Sequence, residues 1–322
     1  MSRWRASEAV SGGGCCAPSR LGDGAVVRDA PPPAAAGTTS MDGMVLLGGG
    51  PFAMGAEDAW AYPDDGEGPV REVRVGGFWV DACAVSNARF REFVDSTGYA
   101  TEAERFQWSF VFASLLPDDF PPTQAAAQAP WWRKVEGADW RHPEGRHSSL
   151  DGRLDHPVVH VSWNDAQAYC SWADKRLPTE AEWEFAARGG LVRQVFPWGD
   201  ELEPDGEHMM NVWQGDFPTA NTVADGYDGT CPVDVFPANG FGLYNTTGNV
   251  WEWTADWFHP SFRARDSSVD PKGPPHGTSK VQKGGSYLCH HSYCRRYRVA
   301  ARNASTPDSS TGNAGFRCVR DA

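Results

Sequence analysis

The sequence predicts a mixed α and β domain with little regular secondary structure and many loops. Its 322 residues include 35 glycines, 24 prolines and 15 tryptophans, a composition that favours turns packed around large aromatic side chains. Beyond Gly189, Asp-Gly and Asn-Gly pairs and prolines recur up to Pro275 and predict further turns. We expect residues 1–41, rich in Ala, Gly and Pro, to be a disordered tail and residues 42–322 to form one domain.

Short patterned segments predict the regular elements. The predicted strands are residues 71–81 and 157–161, and the predicted helices are residues 86–97, 163–174 and 179–188. Ser86 or Asn87 is expected to cap the first helix and Asn164 the second. Thr179-Glu180-Ala181-Glu182 has the pattern of a capped helix start.

Charge and hydropathy exclude several classes of partner. The net charge of −13 does not favour nucleic acid or an anionic membrane as a partner. No apolar stretch approaches the roughly 18–20 residues that span a bilayer, and the N-terminus lacks the apolar segment of a secretory signal. We therefore expect a cytoplasmic protein, and a monomer by default.

Cys289 and Cys294 are the leading candidates for chemistry. Two thiols at this spacing can form a disulfide, hold a soft metal ion or act as nucleophile and resolving thiol. The adjacent His290 and His291, with arginines at 295, 296 and 298, are expected to favour the thiolate. Small buried residues or a structural disulfide remain the alternatives.

Ordered motifs across residues 44–318 resemble the formylglycine-generating enzymes, also called sulfatase-modifying factors. The motifs are Phe52-Ala53-Met54-Gly55, His156-Pro157-Val158-Val159-His160, Arg176-Leu177-Pro178-Thr179-Glu180, Gly248-Asn249-Val250-Trp251-Glu252-Trp253, Thr306-Pro307-Asp308-Ser309-Ser310 and Gly315-Phe316-Arg317-Cys318. The resemblance implies a fold related to C-type lectins. It also implies conversion of the cysteine in a Cys-x-Pro-x-Arg segment of an unfolded or nascent sulfatase to Cα-formylglycine, with dioxygen as co-substrate.

The resemblance assigns roles around the two thiols. Cys289 and Cys294 would bind copper(I), which accepts soft thiolate ligands, and the substrate cysteine would add a third sulfur. The other implied catalytic residues are Ser286, which would orient dioxygen or water, and Trp251, which would exclude water. The implied substrate-binding residues are Ser310, Asn313, Trp131 and Ser109. Where some relatives carry acidic residues for the substrate arginine, this chain has Ala84 and Trp108, so its arginine contact is not assigned.

The resemblance also implies two structural calcium sites and a disulfide position. The first calcium site would use Asn211 and Asp225 with the backbone of Val212 and Tyr227, and the second would use Asn245 and Glu252 with the backbone of Gly248 and Val250. Oxygen donors of this kind suit a hard cation. Cys170 and Cys318 occupy a position of a disulfide in secreted relatives. Ala187 and Val299 replace the second disulfide, which fits a reducing compartment.

The tail contains a motif that the domain does not explain. Cys16-Ala17-Pro18-Ser19-Arg20 is itself a Cys-x-Pro-x-Arg sequence. We hypothesise that the tail enters an active site, in cis or in trans, as a pseudo-substrate or as a site of self-modification. The alternative is an inert tail.

Three other functions compete with the main interpretation. A non-haem iron sulfoxide synthase would need a histidine-rich site, which the sequence does not supply. A non-catalytic sulfatase-binding or lectin-like module would be expected to lack the pair Cys289 and Cys294. A metal-free thiol oxidase cycling a disulfide would need the same two thiols.

Overall fold

The computed structural model describes residues 18–20, 40–127, 129–261 and 266–322. Within these ranges the α-helices are α1 (Asn87–Thr97), α2 (Glu102–Phe106), α3 (Trp163–Trp172) and α4 (Glu180–Ala187), and short 3-10 helices span Pro63–Asp65, Ala113–Leu115 and Pro204–Gly206. None of the helices described is long and apolar enough to cross a membrane.

The strands are short and belong to five small sheets in the described ranges. They are β1 (Met44–Leu47), β2 (Gly50–Met54), β3 (Arg71–Val75), β4 (Phe78–Asp81), β5 (Trp108–Phe112), β6 (Ala125–Ala126), β7 (Ala129–Glu136), β8 (Gly215–Asp216), β9 (Ala220–Asn221), β10 (Trp251–Trp257), β11 (Lys280–Lys283), β12 (Asn303–Ser305), β13 (Ala314–Gly315) and β14 (Val319–Asp321). The expected mixed architecture with little regular secondary structure is confirmed.

Helix starts follow local side-chain chemistry. The Ser86 hydroxyl accepts a hydrogen bond from the backbone of Arg89 and caps α1, and Thr179 begins α4 with the predicted capping box. The predicted cap of α3 is wrong: Ser162, not Asn164, accepts from the backbone of Asp165. The Asn164 side-chain amide instead donates to the Glu102 carboxylate at 2.9 Å.

Of the two strand predictions, one is partly correct and the other is wrong. Residues 71–81 form two strands of different sheets, because β3 pairs with β2 whereas β4 lies between β1 and β14. Residues 157–161 do not form a strand. His160 has φ 59°, a left-handed conformation that a strand does not accommodate, and its backbone N–H donates to the Thr311 carbonyl instead.

Two sheets position the polar and sulfur-containing residues near the C-terminus. In the four-stranded sheet β12-β11-β10-β13, parallel pairing of β10 with β13 sets Trp251 opposite Ala314. In the three-stranded sheet β5-β7-β6, β5 carries Ser109. An isolated bridge between Phe110 and Thr311 joins β5 to the loop before β13, so both sheets border one region.

Candidate active site

Cys289 and Cys294 face each other in the interior of the protein. Their Sγ atoms lie 3.3 Å apart, which is too long for a disulfide bond between them, and each residue is 1% exposed. A tight turn places them together: the backbone N–H of Cys294 donates to the His290 carbonyl at 2.7 Å, and that of Cys289 donates to the Ser286 carbonyl at 2.9 Å. The fold therefore brings the two candidate thiols into direct contact.

The protonation of Cys289 differs from the sequence expectation. Burial, followed by the contact with Cys294, raises the pKa of Cys289 well above its ordinary value, and the backbone N–H of Ser286 and the charge of Arg296 oppose this only in part. The prediction that basic neighbours favour the thiolate is therefore wrong. His290 Nδ1 instead lies 2.8 Å from the Ser292 hydroxyl, and His291 is exposed.

Ser286 is fixed beside the thiols by Asn313. The Asn313 side-chain amide donates to Ser286 Oγ at 2.9 Å, and the Ser286 backbone N–H donates to Cys289 Sγ at 3.4 Å. The backbone of Asn313 in turn accepts from the N–H of Trp251 at 2.8 Å. Trp251 is 0% exposed and packs in one apolar cluster with both cysteines. Five of the predicted site residues therefore lie in one connected cluster, namely Ser286, Asn313, Trp251, Cys289 and Cys294.

An aromatic cavity leads to Cys289. Trp131 and Tyr293 meet edge to face with centroids 4.9 Å apart, and Phe217 stacks on Tyr293 at 4.7 Å. These three side chains line a small cavity together with Ser286 and Cys289. The structure thus places Trp131 at the cavity beside the thiol, whereas the sequence analysis did not identify Phe217 and Tyr293.

A polar network joins Ser109, Ser310 and His160; these residues, together with Phe106 and Trp108, are termed the groove. Ser109 Oγ donates to the Ser310 carbonyl at 2.9 Å, and its hydroxyl also lies 2.8 Å from His160 Nδ1. His160 is fully buried, which lowers its pKa to about 4, so its imidazole is neutral near pH 7. Ser109 and Ser310, both predicted substrate residues, therefore share one network, and His160 is an added member that the sequence analysis left without a role.

The groove holds residues of the chain's own tail. The Arg20 guanidinium lies 4.2 Å from the ring centroids of both Phe106 and Trp108, and its Nη2 donates to the Trp108 carbonyl and to Ser310 Oγ at 3.1 Å. Arg20 is 7% exposed. Trp108 therefore contacts an arginine through its ring and its backbone. Cys16 and Ala17 lie outside the described residues.

The first predicted calcium set converges in space. The Asp225 carboxylate accepts from the backbone N–H groups of Val212 at 3.0 Å and Tyr227 at 3.1 Å. Asn211 is 1% exposed, and its Oδ1 has no hydrogen-bond partner in the described residues. A buried oxygen without a donor normally costs free energy, and a hard cation would satisfy it.

In the second predicted calcium set, the Glu252 carboxylate already makes several contacts with other side chains. Asn245 Oδ1 is also buried without a donor among the residues that the structure describes. Glu252, however, accepts from Arg317 through both carboxylate oxygens at 2.7 Å and from Trp183 Nε1 at 2.6 Å. Because Arg317 already compensates the Glu252 charge, the first set fits a cation better than the second. Gly248 and Val250 lie on the loop between Asn245 and Glu252.

The remaining cysteine expectation concerns disulfide positions. Cys170 and Cys318 face each other with their Sγ atoms 3.5 Å apart, and both are free. Ala187 and Val299 pack in one buried cluster with Trp183, so an apolar contact occupies the other position. No group of three or more His, Cys, Asp or Glu side chains in the described ranges is arranged to hold a metal ion.

Comparison with known proteins gives the same assignment. Residues 29–322 match the family model of the sulfatase-modifying factor enzyme 1-like domain. The formylglycine-generating enzyme of Thermomonospora curvata is 58% identical over 283 residues, which are 87% of this chain and 93% of the relative. A Bos taurus protein named inactive C-alpha-formylglycine-generating enzyme 2 is 48% identical over 286 residues, covering 87% of this chain and 88% of the relative.

The fold comparison agrees with the sequence comparison. The solved structure of PvdO from Pseudomonas aeruginosa superposes with a TM-score of 0.61 over 87% of this chain and 94% of PvdO, at 24% identity. This likeness shows a shared fold related to C-type lectins. The family model and the identity to curated relatives over most of the chain show that it belongs to the sulfatase-modifying factor family.

Proposed function

We propose that this protein converts the cysteine of a Cys-x-Pro-x-Arg segment in an unfolded or nascent sulfatase to Cα-formylglycine, with dioxygen as the oxidant. The observation that carries this proposal is the pair of buried thiols, 3.3 Å apart, of which Cys289 lines an aromatic cavity. Family membership supports the same reaction. It is insufficient alone, because a relative that is 48% identical is named inactive.

The donor set at the two thiols fits copper(I). Cys289 and Cys294 are close enough to bind one ion, and two soft sulfur ligands suit this ion. When bound, copper would supply the redox chemistry with dioxygen that protein side chains lack. Burial raises the pKa of Cys289 and favours its protonated thiol, so binding would release a proton from this sulfur.

The protein's own contribution is orientation and exclusion of water. Ser286 Oγ accepts from the Asn313 amide, and a hydroxyl that accepts in this way retains its own proton for donation. Ser286 would therefore donate a hydrogen bond to an oxygen atom in the cavity. Trp251 and Tyr297 pack against the thiols and keep water from the reacting sulfur. Trp131 would contact the substrate peptide at the cavity.

The groove supplies the means to recognise the substrate arginine. The rings of Phe106 and Trp108 offer π faces to a guanidinium, and the Trp108 carbonyl and the Ser310 hydroxyl accept its N–H groups. A lysine ammonium would lose the planar stacking. We infer that these contacts, rather than a carboxylate, select arginine in this chain.

We also propose that calcium stabilises the loops around residues 211–227. Asn211, Asp225 and the backbone of Val212 and Tyr227 would hold the first ion, supported by the buried, unsatisfied Asn211 Oδ1 in the described structure. Asn245, Glu252 and the backbone of Gly248 and Val250 would hold a second. Both ions would have a structural role and take no part in the reaction.

The test is turnover of a short Cys-x-Pro-x-Arg peptide in air by the copper-loaded protein. We expect loss of the peptide thiol and gain of an aldehyde, detected by mass spectrometry and oxime capture. Cys289→Ala and Cys294→Ala should each abolish turnover. Cys83→Ala, which removes a free cysteine outside the pair, should not. Turnover that survives Cys289→Ala would refute the proposed site.

A non-catalytic binding module is the second candidate, since its fold would be the same. It predicts that the folded protein binds the peptide without changing its mass. The position of the thiol pair favours the enzyme, because Cys289 lines the aromatic cavity at which a peptide would bind.

A further inference from the structure

The tail segment Pro18-Ser19-Arg20 is bound in the groove by backbone and side-chain contacts together. The Arg20 backbone N–H donates to Ser309 Oγ at 2.7 Å, and Ser19 Oγ lies 3.2 Å from Ser305 Oγ. The Thr306 backbone N–H donates to Ser19 Oγ at 3.4 Å. Ser19 is 9% exposed, and Pro18 is also buried. An adventitious side-chain contact would not also engage the peptide backbone.

Arg20 makes most of the side-chain contacts of this segment. Its guanidinium lies between two aromatic rings, each 4.2 Å from its central carbon, and bonds to Ser310 Oγ. Burial of an arginine is favourable only where its donors and its charge are compensated, and stacking with two rings contributes to this compensation. The groove is therefore complementary to an arginine, and Arg20 occupies it.

The occupied groove is physically joined to the thiol pair. Ser310, which contacts Arg20, lies on the same loop as Asn313, whose amide holds Ser286 at 2.9 Å. Ser286 in turn contacts Cys289. A peptide whose arginine binds at Ser310 therefore lies next to the reaction centre, and two such peptides cannot bind there at once.

The docked residues match the segment on which the proposed function acts. Pro18-Ser19-Arg20 ends the sequence Cys16-Ala17-Pro18-Ser19-Arg20, which has the Cys-x-Pro-x-Arg pattern. Because the tail is part of the same chain, its binding at the groove is intramolecular, with an effective concentration on the order of millimolar. Even weak docking would then compete with a substrate in solution.

We propose that the Pro18–Arg20 segment is a built-in competitor, which occupies the arginine groove in cis and must leave before a sulfatase segment binds. This inference rests on the proposed function for the identity of the competing substrate. The occupied fraction of the groove reduces the apparent affinity for substrate by the same factor. A docked tail consequently limits modification to segments that are abundant or bind tightly.

The test measures binding and turnover separately. A fluorescent peptide in which serine replaces the reactive cysteine, Ser-Ala-Pro-Ser-Arg, reports groove affinity by anisotropy without any reaction. Arg20→Ala should tighten this binding about two- to tenfold, as expected for removal of a competitor at millimolar local concentration. The peptide affinity of Arg20→Lys should lie between those of Arg20→Ala and the unsubstituted protein, since lysine keeps the charge but loses the planar guanidinium. Arg5→Ala is the matched control, because it removes a tail arginine outside the motif.

Turnover of the cysteine peptide gives the second readout. Arg20→Ala should lower KM by the same factor and leave kcat unchanged, at every protein concentration, because competition in cis is independent of concentration. Equal peptide affinity in Arg20→Ala and Arg5→Ala would overturn the inference, and so would weaker binding in Arg20→Ala. An effect that appears only at high protein concentration would overturn the cis arrangement. If Arg20→Ala tightens binding but no variant forms aldehyde, the proposed function fails and the competitor stands.

Discussion

The Asn313 side-chain amide donates a hydrogen bond to the Ser286 hydroxyl at 2.9 Å, and this contact ties the substrate groove to the thiol pair. The Thr311 hydroxyl donates to Asn313 Oδ1 at 2.7 Å and fixes the direction of the amide, so that its nitrogen faces Ser286. The orientation of Ser286 beside Cys289 is thus determined by Asn313, which lies on the loop before β13.

Asn313→Ala should therefore lower kcat of peptide turnover. Loss of a buried hydrogen bond with an unsatisfied partner costs about 1–3 kcal/mol, which is a factor of roughly 5 to 150 in rate if it is lost in the transition state. Affinity for the serine-containing peptide should change little. Asn164→Ala, on α3, is the control and should retain kcat. An unchanged kcat in Asn313→Ala would show that the orientation of Ser286 does not matter.

Trp108→Ala should weaken the preference for arginine in the substrate. A cation–π contact contributes about 0.5–2 kcal/mol, so the ratio of affinities for an arginine peptide and its citrulline counterpart should fall about 2- to 30-fold. Trp108→Phe should keep part of the preference. The measurement belongs in an Arg20→Ala background, where the tail arginine does not compete. A ratio that is unaffected by Trp108→Ala would place arginine recognition elsewhere.

His160 should make the protein less stable in mild acid. Its folded pKa of about 4 is below the ordinary value of 6.5, chiefly through burial, so between these values the unfolded chain binds the proton and the folded chain does not. The free energy of unfolding should thus fall as the pH drops from 6.5 to 4, with about 3 kcal/mol from this residue.

Urea unfolding at pH 7 and pH 4.5 tests the histidine contribution. His160→Gln should lose less stability over this interval than the unsubstituted protein. His276→Gln, at an exposed position, should lose as much as the unsubstituted protein. Identical pH dependence in all three proteins would contradict the assignment.

Removal of calcium should destabilise the protein without altering the thiol pair. A ligand at 100 times its dissociation constant stabilises the folded state by about 2.7 kcal/mol. Chelation should reverse this effect, and Asn211→Ala should remove much of the response to calcium. Asn303→Ala, on β12, should respond normally. A free energy of unfolding that is independent of calcium in the unsubstituted protein would refute both sites.

The parts of the fold that depend on neighbouring residues were predictable from the sequence. The caps at Ser86 and Thr179 require only side chains within one turn of the helix. The predicted strand at residues 157–161 was wrong, because His160 adopts a left-handed conformation. Contacts with Ser109 and Thr311, which are distant in sequence, stabilise this conformation.

The site predictions divide in the same way, into those that the sequence supports directly and those that depend on tertiary packing. The family resemblance predicted one site with Ser286, Trp251, Asn313 and both cysteines, and the structure brings these residues together. The predicted thiolate at Cys289 was wrong, because the burial that raises its pKa arises from tertiary packing. The arginine contact at Trp108 was also out of reach, since half of it is a backbone carbonyl, which no residue type reveals.

The most direct test of the central claim is aldehyde formation in a Cys-x-Pro-x-Arg peptide as copper is added from zero to two equivalents per chain in air. The two-thiol site predicts that activity increases until one equivalent of copper has been added and then stays constant. It also predicts that a copper(I) chelator abolishes the activity. Full activity in the presence of the chelator would favour a disulfide cycle between Cys289 and Cys294. No aldehyde at any copper level, with the protein folded, would contradict the assignment as an enzyme.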